Sequence, residues 1–334
     1  MSGQKHINVA VFVPHEGCPH DCLFCNQKAI SGRTEKLAAA DVELAANTAI
    51  ASGKDTTGGE IAFFGGSFTA IDSDYMESLL KAAKPYIDAG SFKGIRISTR
   101  PDFIDERILS LLKSYRVTAI ELGAQSMVDE VLIKNHRGHL SEDTRKACAL
   151  IKSYDFELGL QMMTGLYGDN DEGAFFTAEE FIKLSPQTVR IYPTIVLKNT
   201  MLSELYYKEM YKPQTLSEAV ELCAKLLIRF RNAGIKVIRL GLHSGGGVEP
   251  DYIDGPYHPA FGELCESRVY LKKATGLLSA YPKGKYKLVV NNSDISKMVG
   301  QKRDNIKALS LMGYDCTVSG AESVSPFDIL IKQM

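Results

Sequence analysis

No tryptophan occurs in the chain, neither sign of charge dominates it, and no apolar run is long enough to cross a bilayer. The missing tryptophan says nothing about function. The charge balance says more. Lys and Arg number 39 against 40 Asp and Glu, a net charge of −1, which excludes a global attraction to nucleic acid and leaves that task to a local patch. Residues Met1–His6 have no apolar core, so no targeting segment is expected, and the chain reads as cytoplasmic with no membrane partner. No internal repeat or low-complexity segment is found. Seven cysteines, an odd count with no secretory leader, argue against a disulfide framework. What is present is a 45% apolar fraction, enough for a sizeable core, in 334 residues. That length is long for one ordinary domain but suits a barrel of alternating strands and helices.

Three of the cysteines stand together in Cys18-Pro-His-Asp-Cys22-Leu-Phe-Cys25, just after the apolar run Ile7–Pro14. A C-x3-C-x2-C loop can grip three corners of a cubane iron–sulfur cluster and leave the fourth iron open to another chelator. A structural zinc site wants four closed ligands, usually as two pairs; His20 lies in the loop, but no second C-x2-C or His pair follows. Three buried thiols are the remaining reading. Cys148, Cys223, Cys265 and Cys316 are scattered singly and read as buried thiols rather than a second cluster.

Short β-branched runs alternate with amphipathic stretches. Strands are expected at Ile7–Pro14, Ile61–Phe64, Ile95–Thr99, Thr118–Gly123, Phe156–Met163, Thr188–Val196 and Lys236–Leu242. Helices are expected at Asp41–Ser52, Asp74–Ala89, Asp105–Tyr115, Ser141–Tyr154 and Leu216–Ala233, with Asp105 as an N-cap. Strand then helix, repeated, implies βαβ units, a parallel sheet and an α/β class. The rhythm breaks at Gly245-Gly-Gly247, and Val248–Pro259 reads as a loop or linker. Beyond it come helix Ala260–Ala280, strand Tyr286–Asn291, helices Ser293–Val299 and Asp304–Met312, and strand Tyr314–Ser319. The expected division is a barrel over residues 1–247 and a small α+β domain over 258–334.

Functional residues of a parallel barrel gather at the C-terminal ends of its strands. There the sequence places Gly65-Gly66, whose bare backbone suits a ligand or a tight turn. It also places Ser98-Thr-Arg-Pro-Asp102 and Glu121-Leu-Gly-Ala-Gln125-Ser126, polar groups that need partners if buried. Arg137 can hold a carboxylate through paired bonds or lie solvated on the surface. Gln161 and the run Arg190-Ile-Tyr192-Pro-Thr194 follow on later strands.

This ordered set, with Gly65-Gly-Ser-Phe-Thr69, Ser98-Thr-Arg-Pro-Asp102, Glu121-Leu-Gly-Ala-Gln-Ser126, Arg137-Gly-His139 and Ile191-Tyr-Pro-Thr194, resembles the radical S-adenosylmethionine (radical SAM) superfamily along roughly Ile7–Leu242. Within it the chain is similar to the radical domain of the Elongator catalytic subunit, and more distantly to oxygen-independent coproporphyrinogen dehydrogenases. The resemblance implies a partial parallel (β/α) barrel and a [4Fe-4S] cluster on Cys18, Cys22 and Cys25. It puts Phe24 near the adenine of S-adenosylmethionine, the methionine amino group on the backbone of Gly65 and Gly66, and the methionine carboxylate on Arg137. Ser98, Gln125 and Gln161 reach the ribose or the methionine end. Ser67 stands where the superfamily has Glu, with little loss expected because the backbone makes the contact. A ferredoxin or flavodoxin is implied as electron donor, and reductive cleavage to a 5′-deoxyadenosyl radical as the activity. Arg190, Tyr192, Lys198 and His243 are candidates to face the substrate, with core packing the alternative for Tyr192. Two departures limit the likeness: the Elongator-type cluster loop is longer, and the chain ends too soon for an acetyltransferase domain. Acetyl transfer is therefore not carried over.

The tail resembles the helix–GxxG–helix heart of KH domains, a βααβ unit in which a glycine loop clamps a nucleic-acid backbone. Gly300, Lys302 and Arg303 fall in that loop, with Arg303 at the second glycine's place. Lys283, Lys285, Lys287, Lys297, Lys302, Arg303 and Lys307 face only Asp294 and Asp304 over that stretch, a local basic patch. A capping domain with a solvated basic face is the alternative. RNA, tRNA first, is the expected substrate. The rivals are a small-molecule metabolite, with the tail as lid or dimer contact, and a non-catalytic iron–sulfur protein.

Overall fold

Seven strands of the computed structural model run parallel in one sheet, in the order β1-β2-β3-β4-β5-β6-β8. The structure describes residues 8–13, 22–26, 36–242 and 248–334. The strands are β1 (Asn8–Val13), β2 (Glu60–Gly65), β3 (Gly94–Thr99), β4 (Val117–Gln125), β5 (Glu157–Thr164), β6 (Thr188–Pro193) and β8 (Lys236–Leu240). Between them lie α1 (Ala39–Ala51), α2 (Ser73–Asp88), α3 (Glu106–Ser114), α4 (Asp129–Lys134), α5 (Ser141–Ser153), α6 (Asp171–Leu184), α7 (Met201–Tyr207) and α8 (Leu216–Asn232). The sheet curls into a half-barrel with its helices outside. In α3, Asp105 caps the first turn by accepting from the Ile108 N–H at 2.7 Å, and Ile108, Leu109 and Leu112 turn inward. Burying such residues between sheet and helices stabilises the layer by about 25 cal/mol per Å² of apolar surface.

Three expected elements differ. The strand expected to run to Val196 stops at Pro193, and Val196–Leu197 forms a separate β7. Proline has no N–H to continue a ladder. The segment expected as linker holds a short α9 (Val248–Asp251) and β9 (Tyr252–Asp254), and β9 pairs antiparallel with β7. So short a strand among Pro, Gly and Asp has no local signature; its partner lies far away in sequence. The strand expected to reach Leu242 ends at Leu240, where Gly241 takes φ +80°. Helices α4, α6 and α7 lie outside the expected patterns.

After β9 come α10 (Phe261–Leu278), β10 (Gly284–Val290), α11 (Ile295–Val299), α12 (Asp304–Leu311), β11 (Tyr314–Gly320) and β12 (Leu330–Gln333). The second sheet has the order β11-β10-β12, with β10 parallel to β11 and antiparallel to β12. The βααβ unit is thus present, extended by a strand not expected from sequence. Helix α10 belongs to two cores. Phe261 and Cys265 pack in the barrel core, while Tyr270, Ala274 and Leu278 join Tyr286 and Leu288 in the tail core.

Candidate functional site

The described part of the cysteine loop, residues 22–26, is pinned from two sides. Leu23 donates its N–H to Asn135 O (3.3 Å) at the end of α4 and accepts from Leu202 N (2.8 Å) in α7. A tight turn follows, Cys25 N to Cys22 O at 3.1 Å, and Asn26 Nδ2 donates to Lys198 O at 2.9 Å. Cys22 is buried and Cys25 half-buried; Cys18 and His243 lie outside the described residues.

Arg137 is buried, so the surface alternative for it is excluded. Its Nη1 donates to Cys22 Sγ at 3.1 Å and its Nη2 to Gly123 O at 2.6 Å, while Nε has no partner. Its own carbonyl accepts from Arg100, which Asp102 holds by two bonds of 2.9 and 2.8 Å. His139 stands alongside. Burial, together with the Arg137 and Arg100 charges and against the pull of Asp102, presses its pKa down to about 4, so it is neutral at pH 7.

At the end of β2, Gly65 has φ +116°, and a Cβ there would lie 2.2 Å from Val13 O. Only glycine permits this approach of β2 to the end of β1. Ser67 is buried and bonds Thr99 Oγ1 at 2.8 Å, with Thr69 on the same hydroxyl at 2.6 Å, so it locks the turn to β3. Gln125 sits at φ +67° with a buried Oε1 that has no partner. Unpaired buried polar atoms at one strand end, Gln125 Oε1 and Arg137 Nε, suit a polar ligand that completes them. Phe24 packs in an apolar cluster with Val196, Leu202 and Tyr211.

Deeper in the half-barrel lies a layer of charge. Arg96 reaches Glu60 (2.6 Å), Glu157 (2.7 Å) and Glu121 (3.4 Å). Burial opposes its positive charge, but the three carboxylates outweigh that and hold its pKa above the ordinary value. Glu121 is also gripped by Arg190 Nε (2.6 Å) and Nη2 (2.9 Å), and by Gln161 Nε2 (2.9 Å), which donates to Ser98 Oγ as well at 3.0 Å. Ser98 and Gln161 are thus brought together. Arg190, expected to face substrate, spends its fork on Glu121 and covers the Phe64 ring at 4.8 Å. Tyr192 is half-buried next to Arg190, and burial raises its pKa, so the phenol keeps its proton. Lys198 is exposed, and its ammonium donates to Pro250 O at 2.8 Å instead of joining this group. Arg96 and Arg239 are missing from the sequence expectations. Both sit inside strands, where a lone Arg gives no spacing signal.

In the tail, Gly300, Lys302 and Arg303 all have positive φ, 78°, 50° and 64°, between α11 and α12. Arg303 adopts the left-handed backbone that a glycine would take, with an exposed side chain. The basic patch is smaller than its count. Lys297 is engaged by Glu266 (2.7 Å) and Asp294 (2.9 Å), and Lys307 by Asp304 (3.2 Å). Lys285 and Lys287 alternate with buried Tyr286 and Leu288, which puts them on the sheet face away from the helices.

The model of the Radical SAM superfamily matches residues 12–180, and that of the Radical_SAM C-terminal domain residues 186–273. The chain is 29% identical over 254 residues to the tRNA uridine(34) acetyltransferase of Methanocaldococcus jannaschii, covering 64% of this chain and 47% of that one. It is 29% identical over 188 residues to human Elongator complex protein 3, covering 50% and 34%. The chain therefore spans half or less of the length of these curated relatives. Among solved structures, the archaeal Methanocaldococcus infernus Elp3 with an N-terminal deletion shares the fold at TM-score 0.63 and 23% identity, over 80% of this chain and 64% of that one. No helix among the described residues is long and apolar enough to cross a membrane.

Proposed function

The chain belongs to the radical SAM superfamily, and from that premise we propose that it directs its radical chemistry at a nucleoside of tRNA. It is an enzyme, and its cofactors are a [4Fe-4S] cluster and S-adenosylmethionine. When bound, they supply a 5′-deoxyadenosyl radical that abstracts hydrogen from substrate. The residues present fit the pair, since thiol chemistry meets iron at Cys22 and Cys25 and unpaired buried polar atoms wait at Arg137 and Gln125.

In this reading Cys18, Cys22 and Cys25 hold the cluster. Arg137, fixed by Gly123 O, stands beside Cys22 and offers a carboxylate its unpartnered Nε–H. Gly65 and Gly66 offer backbone to the methionine amino group, and Gln125, Ser98 and Gln161 orient the rest. Phe24, packed against Leu202, gives the adenine an apolar edge. A ferredoxin or flavodoxin donates the electron, and the reaction runs in the cytoplasm.

The observation that carries the tRNA reading is the loop Gly300–Arg303. Two adjacent exposed cations are held in left-handed backbone, a conformation costing on the order of 1–3 kcal/mol for each non-glycine residue. Strain of this kind gathers at ligand clamps, and here it sets two cations side by side on one exposed turn, as contact with phosphate requires. The names of the relatives from Methanocaldococcus point to tRNA as well. Acetyl transfer belongs to those longer proteins and is no part of this proposal.

A gel shift with total tRNA at low and moderate salt tests it. Binding should weaken steeply with salt through counterion release. Replacing both Lys302 and Arg303 by Glu should abolish it. No shift by the folded wild-type protein at low salt would overturn the tRNA reading and leave a small-molecule substrate.

A further inference from the structure

We propose that Arg239, with the phenol of Tyr192, forms a phosphate-binding subsite inside the half-barrel that holds a phosphate group of the substrate. The proposal rests on the tRNA reading only for the source of that phosphate.

Strand register carries the placement. Gln161 on β5 pairs with Arg190 on β6, and Arg190 with Arg239 on β8. Residues paired across parallel strands point to one face. Gln161 and Arg190 both bond Glu121 on that face, so it is the interior of the curl and Arg239 shares it. Ser98, in the same hydrogen-bonded set, puts this layer next to the residues read as cofactor-facing.

The two arginines differ in what they already hold. Glu121 takes Arg190 by two bonds and offsets its charge. Arg239 makes no ion pair or side-chain hydrogen bond among the described residues, and the groups acting on it are burial, Tyr192 and the like charge of Arg190. Burial comes first and, with Arg190, outweighs the phenol, so its pKa is lowered. A half-buried guanidinium beside a second one is costly without an anion, and an incoming phosphate removes that cost.

Tyr192 completes the donor set. It stands two residues from Arg190 on the same face of β6, and burial keeps it protonated. A protonated phenol has an O–H to donate. Guanidinium and phenol together match the acceptor oxygens of a phosphate. Access is given by topology. β8 is the terminal strand of an open sheet, so Arg239 borders the gap that a closed barrel would seal.

The test uses the full-length, cluster-loaded protein with S-adenosylmethionine, under anaerobic conditions. Three probes are titrated: uridine, uridine 5′-monophosphate and the dinucleotide UpU. Wild type should bind at least one phosphate probe more tightly than uridine. The monophosphate identifies a small phosphate monoester as the source, and UpU a polynucleotide diester. Arg239→Gln should weaken that probe roughly tenfold to a hundredfold, the loss of one charge-assisted contact. It should leave uridine binding unchanged, and Arg239→Lys should recover part of the loss. Iron content and circular dichroism report that each variant is folded. The proposal is overturned if wild type prefers neither phosphate probe to uridine, or if Arg239→Gln binds them as wild type does. A protein that ignores tRNA yet binds the monophosphate through Arg239 would sink the tRNA reading and keep the subsite.

Discussion

Replacing Arg137 by Ala separates binding of S-adenosylmethionine from assembly of the cluster. The guanidinium makes two contacts, to Cys22 Sγ and Gly123 O, and its buried Nε has no partner. If that donor side meets the methionine carboxylate, the variant loses a hydrogen bond to a charged group, worth about 1.5–3 kcal/mol. At about 1.4 kcal/mol per decade, affinity should fall roughly tenfold to a hundredfold. The same change strips Gly123 O of its donor in a buried setting, a separate cost of about 1–3 kcal/mol in fold stability. Anaerobic calorimetric titration measures the first effect and thermal unfolding the second. Iron content should stay at the wild-type level, because no cluster ligand is removed. Arg137→Lys keeps the charge but cannot span Cys22 and Gly123 at once, so it should fall between. Unchanged affinity in Arg137→Ala, with iron intact and melting temperature lowered, would refute the reasoning and leave Arg137 a structural brace.

The cysteine reading predicts that anaerobically reconstituted protein carries about four irons per chain and makes 5′-deoxyadenosine with a reductant. Cys22→Ala should lose both by iron assay and chromatography, and a colourless wild type holding one tight zinc would defeat the reading. The charged layer makes a stability prediction. Arg96→Ala leaves the buried Glu60 carboxylate without its ion pair, while Arg190 still holds Glu121, and should destabilise the fold by about 3–5 kcal/mol, read by denaturant unfolding. A loss below about 1 kcal/mol, the range of exposed pairs, would show the network to be replaceable.

Local pattern was legible wherever its cause was local. The N-cap at Asp105, the α3 stripe and the β-branched strands follow from dihedral preference and period, so element and position agree closely with expectation. β7, β9 and β12 were not legible, since two to four residues of strand carry no period and exist only because a distant partner supplies hydrogen bonds. Arg303 shows a subtler limit. At the place where a clamp loop wants glycine, the chain puts Arg into the left-handed region, which residue type alone argues against.

The sequence by itself determined the cysteine spacing, the βα rhythm and the glycine turn after β2. Each is written in contiguous residues and constrained by chemistry within a few positions. Only the tertiary structure decided which polar groups meet. Arg137 reaches Cys22 across 115 positions of sequence, and Arg190 is taken by Glu121 across 69. Strand register then leaves Arg239 beside Arg190 with no ion pair among the described residues. Parallel strands join through crossovers, so neighbours in the sheet are remote in the chain, and the fate of a buried charge is settled by register and packing that no local spacing encodes.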